Sequence, residues 1–288
     1  MTSFLSSRQI LRIFIGLYLC LFFAYLFLPL LYMSAAAFND SRLPAAVPWQ
    51  GFTLQWFGDL FKDSMLWDSL VNSVLVGIGV VALSIPIGLN AALLLHSLEK
   101  RARTFTYGIM VSPILMPGVI LGISTLVFWR GFDIGGGLHL SIFAQTTFIA
   151  SYCLMMFQAR LQRLDPNWEE AALDLGASHL QVMRRIILPF LMPTAIGAAV
   201  IAFLQSFENY NTTLFVYGSD RTLTIYLAGK VRIGLTPAVN ALSVIFILLT
   251  VLAAVLYEWR RRAEMRPARK RRAAAATTID QAAPVPAE

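Results

Sequence analysis

EEAALDLGASHLQVMRRIILP, residues Glu169–Pro189, is a polar island in a chain that is otherwise largely apolar. Just before it, Asp165 can cap a helix, and Pro166 suits a first helical position, where an N–H would have no partner anyway. Gly176 is placed to end that helix in the left-handed conformation, which residues with a Cβ resist. Ser178 and Gln181 then form the S-x-x-Q pattern of a capping box, which predicts a second short helix whose undisturbed run is limited by Pro189. The stretch therefore reads as helix, tight turn, helix, lying outside a bilayer. On the first helix Trp168, Ala171, Ala172 and Leu175 share one face at i, i+3, i+4, i+7 spacing, while Glu169, Glu170, Leu173 and Asp174 point elsewhere. Two alanines let another backbone come close. A short helix with an exposed apolar stripe suits docking into a groove, the alternative being that it packs beneath its own bundle.

The surroundings of this island decide the fold class. Of 288 residues 57% are hydrophobic and only 14% charged, against roughly 25% charged in soluble domains. Six runs contain no Asp, Glu, Lys, Arg or His: Ile13–Ala37, Leu70–Leu95, Phe105–Trp129, Leu140–Ala159, Ile186–Phe207 and Ala238–Tyr257. About 20 helical residues cross a hydrocarbon core, and the runs lack the alternation of a barrel strand, so an all-α polytopic membrane protein with six transmembrane helices is predicted. Pro29, Pro86, Pro113, Pro117 and Pro193 fall inside runs and predict kinks. The first run follows Arg8 and Arg12 and ends in Ala35-Ala36-Ala37, like a signal peptide, but its apolar core exceeds the roughly 7–15 residues of one, so it is read as a retained helix. Cys20 and Cys153 each lie in an apolar run and read as small buried hydrophobes rather than as a disulfide or metal pair.

Basic residues set the orientation. An even number of spans puts both termini on one side. That side collects Arg8, Arg12, Lys100, Arg101, Arg103, Arg160, Arg163, Arg184, Arg185 and the cluster from Arg260 to Arg272, leaving Arg42, Lys62, Arg130, Arg221, Lys230 and Arg232 opposite. The positive-inside rule makes the first side cytoplasmic, together with the polar island. The net charge of +7 then needs no nucleic-acid partner. The cluster RRRAEMRPARKRR suits anionic lipid headgroups, and the residues after it read as disordered. The chain thus divides into a transmembrane domain over 1–259, with its cytoplasmic loop at 160–189, and a tail over 260–288.

Glu170-Ala171-Ala172, Gly176 after three further residues, then nine residues and Ile186-x-Leu188-Pro189 match the spacing of the EAA motif. The chain therefore resembles the permease subunits of binding-protein-dependent ABC importers, from its second helix to its sixth. NSVLVGIGVVALSIPIGLNAALLL, SFENYNTTLFVYG and TLTIYLAGKVRIGLTPAVNALS are similar to the second, smaller permease subunit of the spermidine/putrescine-type branch, although related members often have Asp where Glu208 stands. The resemblance implies the type I importer fold in the bacterial inner membrane. It implies a coupling role for Glu170, Ala171, Ala172, Asp174 and Gly176 against a dimer of ATP-binding cassette ATPases, which would bind ATP and Mg²⁺. It further implies a second homologous permease, an extracytoplasmic solute-binding protein, and a small organic solute, a polyamine or related amine. The loop Phe38–Trp67 and the segment Glu208–Pro237 are the expected docking surface for the binding protein.

The chain has no G-x-x-x-x-G-K-[ST] loop, so the importer resemblance implies that its energy comes from a partner. His96, His139 and His179 are scattered, no H-E-x-x-H occurs, and Gly135-Gly136-Gly137 reads as a flexible turn. The spans hold no acid of the kind a secondary, ion-coupled transporter uses and no nucleophile–base set of an intramembrane enzyme. Asn72, Asn90, Gln145, Gln158, Gln205 and Asn240 are candidates for pore lining or, individually, for interhelical hydrogen bonds. Glu208, with Gln205 before it and Asn209 and Tyr210 after it, suits an ammonium group; the alternative is an interfacial acid that is hydrated or paired with Arg221.

Overall fold

The computed structural model describes residues 7–234 and 236–281, with side chains over 11–262 apart from 166 and 235. Among the described residues the chain is helical, with one isolated bridge between Asn39 and Phe52. Five helices are long and apolar enough to cross a membrane, six if one bent pair is a single span. The chain forms two compact units, Met1–Lys62 with Leu235–Glu288, and Asp63–Gly234.

In the first unit α1 (Ser7–Ala36) and α2 (Gln55–Lys62) both meet α12 (Pro237–Gln281). The side chains of α1 are exposed for most of its length, Cys20 among them, so only Cys153 is the buried thiol expected of both. A helix this apolar with no buried face is built for acyl chains. The loop after α1 folds around Asn39, whose Nδ2 donates to the carbonyls of Ala45 and Pro48 (both 2.9 Å) while its Oδ1 accepts from the Gln50 N–H at 2.8 Å. α12 runs through residue 259 without a break and includes 273–281, a stretch expected to be disordered. Its Ala273–Ala276 run is a strong helix former. Residues 282–288 lie outside the described residues.

In the second unit α3 (Ser64–Ser97), α6 (Leu138–Leu161) and α9 (Leu188–Phe207) form the core, and α3 with α6 is the most extensive helix pair. Val76, Val80, Ala92 and Leu95 of α3 bury against Ile149, Cys153, Leu154 and Phe157 of α6 and Leu191, Ala198 and Ala202 of α9. With lipid outside there is no hydrophobic drive between such helices, and close packing through small residues carries the association. At Gly88 a Cβ would lie 2.6 Å from the Cβ of Cys153, 2.8 Å from the Leu154 nitrogen and 2.9 Å from the Ala150 oxygen.

The third expected span is not one helix. α4 (Lys100–Val111) passes through a 3₁₀ turn (Ser112–Leu115), and α5 (Gly118–Arg130) leaves at 100° to it. Pro117 forces Met116 out of the helical region, to φ −84° and ψ 135°, because a residue before proline clashes there. Pro113 and Pro117 together turn an expected kink into a break, whereas Pro29, Pro86 and Pro193 sit inside continuous helices. α5 is then pinned by α10 (Thr213–Val216) and the residue before it: a Cβ on Gly122 would run into the Thr212 carbonyl.

Gly136 and Gly137, expected in a flexible turn with Gly135, are packed against the segment Val216–Gly218. The Gly137 N–H donates to the Val216 carbonyl at 2.7 Å, and a Cβ on Gly136 would lie 3.0 Å from the Cα of Gly218, which itself has φ +62°. Two backbones meet here that no side chain could separate.

Candidate coupling surface and solute cavity

The polar island folds as its capping signals require. Asp165 caps α7 (Pro166–Asp174) by accepting from the Asn167 N–H at 3.0 Å. At its other end Gly176 has φ +82°, and the Gly176 and Ala177 N–H groups donate to the carbonyls of Leu173 (2.9 Å) and Ala172 (3.0 Å). That crossed pair is a Schellman motif. Both arms of the capping box form: the Ser178 N–H donates to Gln181 Oε1 at 2.8 Å, and the Gln181 N–H to Ser178 Oγ at 3.3 Å.

The second helix does not stay separate. α8 (His179–Val182) enters a π-helical turn, Met183–Ile187, which leads directly into α9. Pro189 has no N–H to give to the carbonyl four residues back, and the wider π turn absorbs the mismatch, with the Leu188 N–H donating to the Met183 carbonyl.

The faces of α7 divide differently from the expected stripe. Ala172 and Leu173 turn inward onto the core, with Ala177 beyond them. Trp168 (54% exposed), Glu170, Ala171, Asp174 and Leu175 (90% exposed) face outward, so the outward surface mixes apolar and acidic groups. Trp168 is steadied edge-on against Phe190, over which the Arg160 guanidinium lies 4.0 Å from the ring centroid. The Arg160 Nε also donates to the Phe190 carbonyl at 3.3 Å.

A cavity of about 320 Å³ lies where the α4–α5 break faces the end of α9. It brings together Gln205, Glu208, Asn209 and Tyr210 with Tyr152, Gly118 and Thr212. Glu208 is exposed at the C-cap of α9 and, among the described residues, makes no ion pair; the pairing with Arg221 is not formed. Arg221 is held elsewhere, its Nη1 on Met65 Sδ and its carbonyl accepting from Asn72 Nδ2 at 3.0 Å. Asn72 therefore belongs to a different cavity from Glu208. Asn209 orders the loop: its Oδ1 accepts from the Thr212 N–H at 3.1 Å, and its carbonyl accepts from the hydroxyls of Thr213 (3.0 Å) and Thr224 (3.1 Å). Gln145 is structural: it donates to Thr213 Oγ1 at 2.8 Å and accepts from Ser206 Oγ at 2.5 Å, fully buried. Asn90 bonds back to the Pro86 carbonyl, and Gln158 and Asn240 are buried.

A cluster not singled out from the sequence lies at the start of α3. Asp63 is its N-cap, accepting from the Leu66 N–H at 3.2 Å. Its other oxygen accepts from the Tyr226 hydroxyl at 2.6 Å and from Lys230 Nζ at 3.2 Å, both on α11 (Leu223–Ile233). Burial raises the Asp63 carboxyl, but the bonds from Tyr226, Lys230 and Leu66 outweigh it and hold the pKa below the ordinary value. Burial and the Asp63 carboxylate push the Tyr226 phenol well up. A lowered carboxyl stabilises the fold above its unfolded-state pKa, and that contribution is lost as pH falls through the folded value. Asp63→Asn is therefore expected to lower the thermal midpoint at neutral pH, with the gap to wild type closing under acid. Equal midpoints at every pH would leave Asp63 with helix capping alone, which Asn performs as well. An Asp directly before Ser64 is the one sequence feature that could have marked the cap; the fold alone brings Tyr226 and Lys230 to it.

Among the described residues the chain is helical, with five or six apolar spans, an exposed polar loop and a broken third span, the layout of a polytopic membrane protein. Residues 84–263 match the family described as the inner membrane component of binding-protein-dependent transport systems, and the chain belongs to that family. It is 29% identical over 245 residues to the spermidine/putrescine transport system permease protein PotC of Escherichia coli (strain K12), covering 85% of this chain and 92% of that protein. It is 30% identical over 237 residues to the putrescine transport system permease protein PotI of the same strain, covering 80% and 84%. In fold it is similar to a bacterial alginate ABC transporter solved in complex with an alginate pentasaccharide-bound periplasmic protein (TM-score 0.67, 17% identity, 86% of this chain and 92% of that one). The fold is that of type I ABC importer permeases, and the chain is a non-catalytic transport subunit, neither an ion-coupled transporter nor an intramembrane enzyme.

Proposed function

We propose that this chain is one of two homologous permeases of an ATP-driven importer of an amine, of the polyamine class or related to it, in the bacterial inner membrane with both termini cytoplasmic. The observation that carries the coupling half is the outward face of α7, with Glu170, Ala171, Asp174 and Leu175 free of the chain's own core next to a fixed Schellman turn. That face docks on a dimer of ATP-binding cassette ATPases, which hold ATP and Mg²⁺. An extracytoplasmic binding protein delivers the solute, and the basic residues 260–272 meet lipid headgroups. The amine reading is supported by the relatives' polyamine substrates and by Glu208 lining a cavity with Gln205, Tyr210 and Tyr152. Asn72 lies apart from that cavity and is not included in the pathway.

Closure of the ATPases moves the docked loops, and differential contact with the two global states of the permease drives alternating access. Truncating a buried interfacial charge costs about 2–5 kcal/mol, against about 0–1 kcal/mol for a solvated one. Glu170→Ala is thus expected to weaken co-purification of the ATPase well beyond Glu169→Ala. Equal, small effects at both positions would make Glu170 a solvated surface charge.

A further inference from the structure

We propose that the cavity at the α4–α5 break takes a solute carrying a carboxylate as well as an ammonium group, so that the amine is an amino acid-like zwitterion rather than a diamine. The inference rests on reading this cavity as part of the solute pathway. Glu208 is the one acidic residue among those lining it. The start of α5 has the opposite sense. α5 starts at the cavity with Gly118, and Pro117 before it provides no side-chain cap. The N–H groups of Ile120 and Leu121 both turn back to the Pro117 carbonyl (2.9 and 3.2 Å), which leaves those of Gly118 and Val119. A helix start of this kind carries roughly half a positive charge and is a ready anion site.

Thr212 supplies the independent observation. It lines the same cavity, is 0% exposed, and its hydroxyl has no hydrogen-bond partner. That hydroxyl sits over the helix start, 2.8 Å from where a Cβ on Gly118 would be. Gly118 thus lets the hydroxyl come down onto the first turn of α5. Arg232 adds a cation nearby, donating to the Tyr210 hydroxyl at 3.2 Å. A diamine would set its second ammonium against the helix start and Arg232, while the Thr212 hydroxyl can accept from an ammonium or donate to a carboxylate. A carboxylate satisfies all three while the ammonium keeps Glu208 and the tyrosine faces.

The test is ATP-driven uptake of labelled 4-aminobutyrate and of labelled putrescine by the complete transporter in proteoliposomes, at saturating binding protein. Uptake of 4-aminobutyrate, lowered by Glu208→Gln and lowered roughly tenfold or more by Thr212→Val, is expected, since one hydrogen bond to a charged group is lost. Thr212→Val removes a hydroxyl that has no partner in the protein, so its thermal midpoint should match or exceed wild type. Putrescine uptake sensitive to Glu208→Gln, without 4-aminobutyrate uptake, would overturn the carboxylate half and leave the amine pathway standing. Uptake indifferent to both substitutions would remove the cavity from the pathway and both readings with it. A Thr212→Val protein that loses stability instead of selectivity would make Thr212 a packing residue, a result against the proposal that wild-type selectivity and Glu208→Gln check separately.

Discussion

Gly176→Val is expected to abolish ATP-driven uptake while leaving the chain inserted and its spans folded. Gly176 has φ +82°, and a β-branched residue there is strained by about 1–3 kcal/mol whatever the space around it. Space is not the issue: a Cβ at Gly176 meets nothing within 4 Å. The strain falls on the turn alone, and α7 relieves it by giving up the crossed bonds from Gly176 and Ala177 to Leu173 and Ala172. Those bonds fix the angle at which the outward face of α7 is presented. Gly176→Asn, which tolerates the left-handed conformation, should retain most activity. Uptake and ATPase co-purification measured side by side decide the matter. Normal transport by the valine variant would show that the turn's geometry is not what the partner reads.

The second large effect is expected in the bundle. Gly88→Val should lower the thermal midpoint sharply or prevent assembly, because a Cβ at Gly88 meets the backbone of Ala150 and Leu154 as well as Cys153. Backbone cannot rotate away, so α3 and α6 must separate along their longest contact. Overpacking of this type costs about 1–3 kcal/mol for modest additions, and the branched side chain adds more atoms at the tightest point. Gly108→Ala is the contrast: nothing lies within 4 Å of its Cβ, and the gain in helix propensity should hold or raise stability by up to about 1 kcal/mol. Thermal unfolding of the detergent-solubilised protein followed by size exclusion reads both. Equal midpoints for the two variants would mean that the α3–α6 contact is looser than the structure has it.

The features written locally in the chain were legible before the structure. Asp165, Gly176, Ser178 and Gln181 each act on backbone groups within a few residues, and each makes the bond its type and spacing predict. The apolar runs likewise become helices, because the backbone in lipid has few other ways to satisfy itself. What failed depended on distance. Leu173 was placed off the apolar stripe by helical spacing, yet it is one of the residues α7 turns inward, since the core it meets comes from other helices. Gly135–Gly137 has the composition of a mobile turn and acts as a close backbone contact only because Gly218 arrives opposite. At Pro113 and Pro117 the sequence signalled a disturbance, but whether two prolines four residues apart kink or break a span depends on what holds the second half. Here that is the α10 region, through Gly118 and Gly122. The cavity at the α4–α5 break follows the same rule: Gln205, Glu208, Asn209 and Tyr210 are neighbours in sequence, while Gly118 and Tyr152 join them only in the fold.

The π turn at Met183–Ile187 makes one rod out of what reads as a short helix followed by a span. From His179 to Phe207 the rod has 29 residues, about 43 Å at the helical rise. Its near end adjoins the Gly176 turn, and its far end carries Gln205 and is capped by Glu208. Such a rod works as a lever: pivoting it by about 10° at the near end carries the far end through a stroke of about 7 Å over that length. On the proposed coupling, a slight push at the Gly176 turn would become a displacement of that size at Gln205 and Glu208.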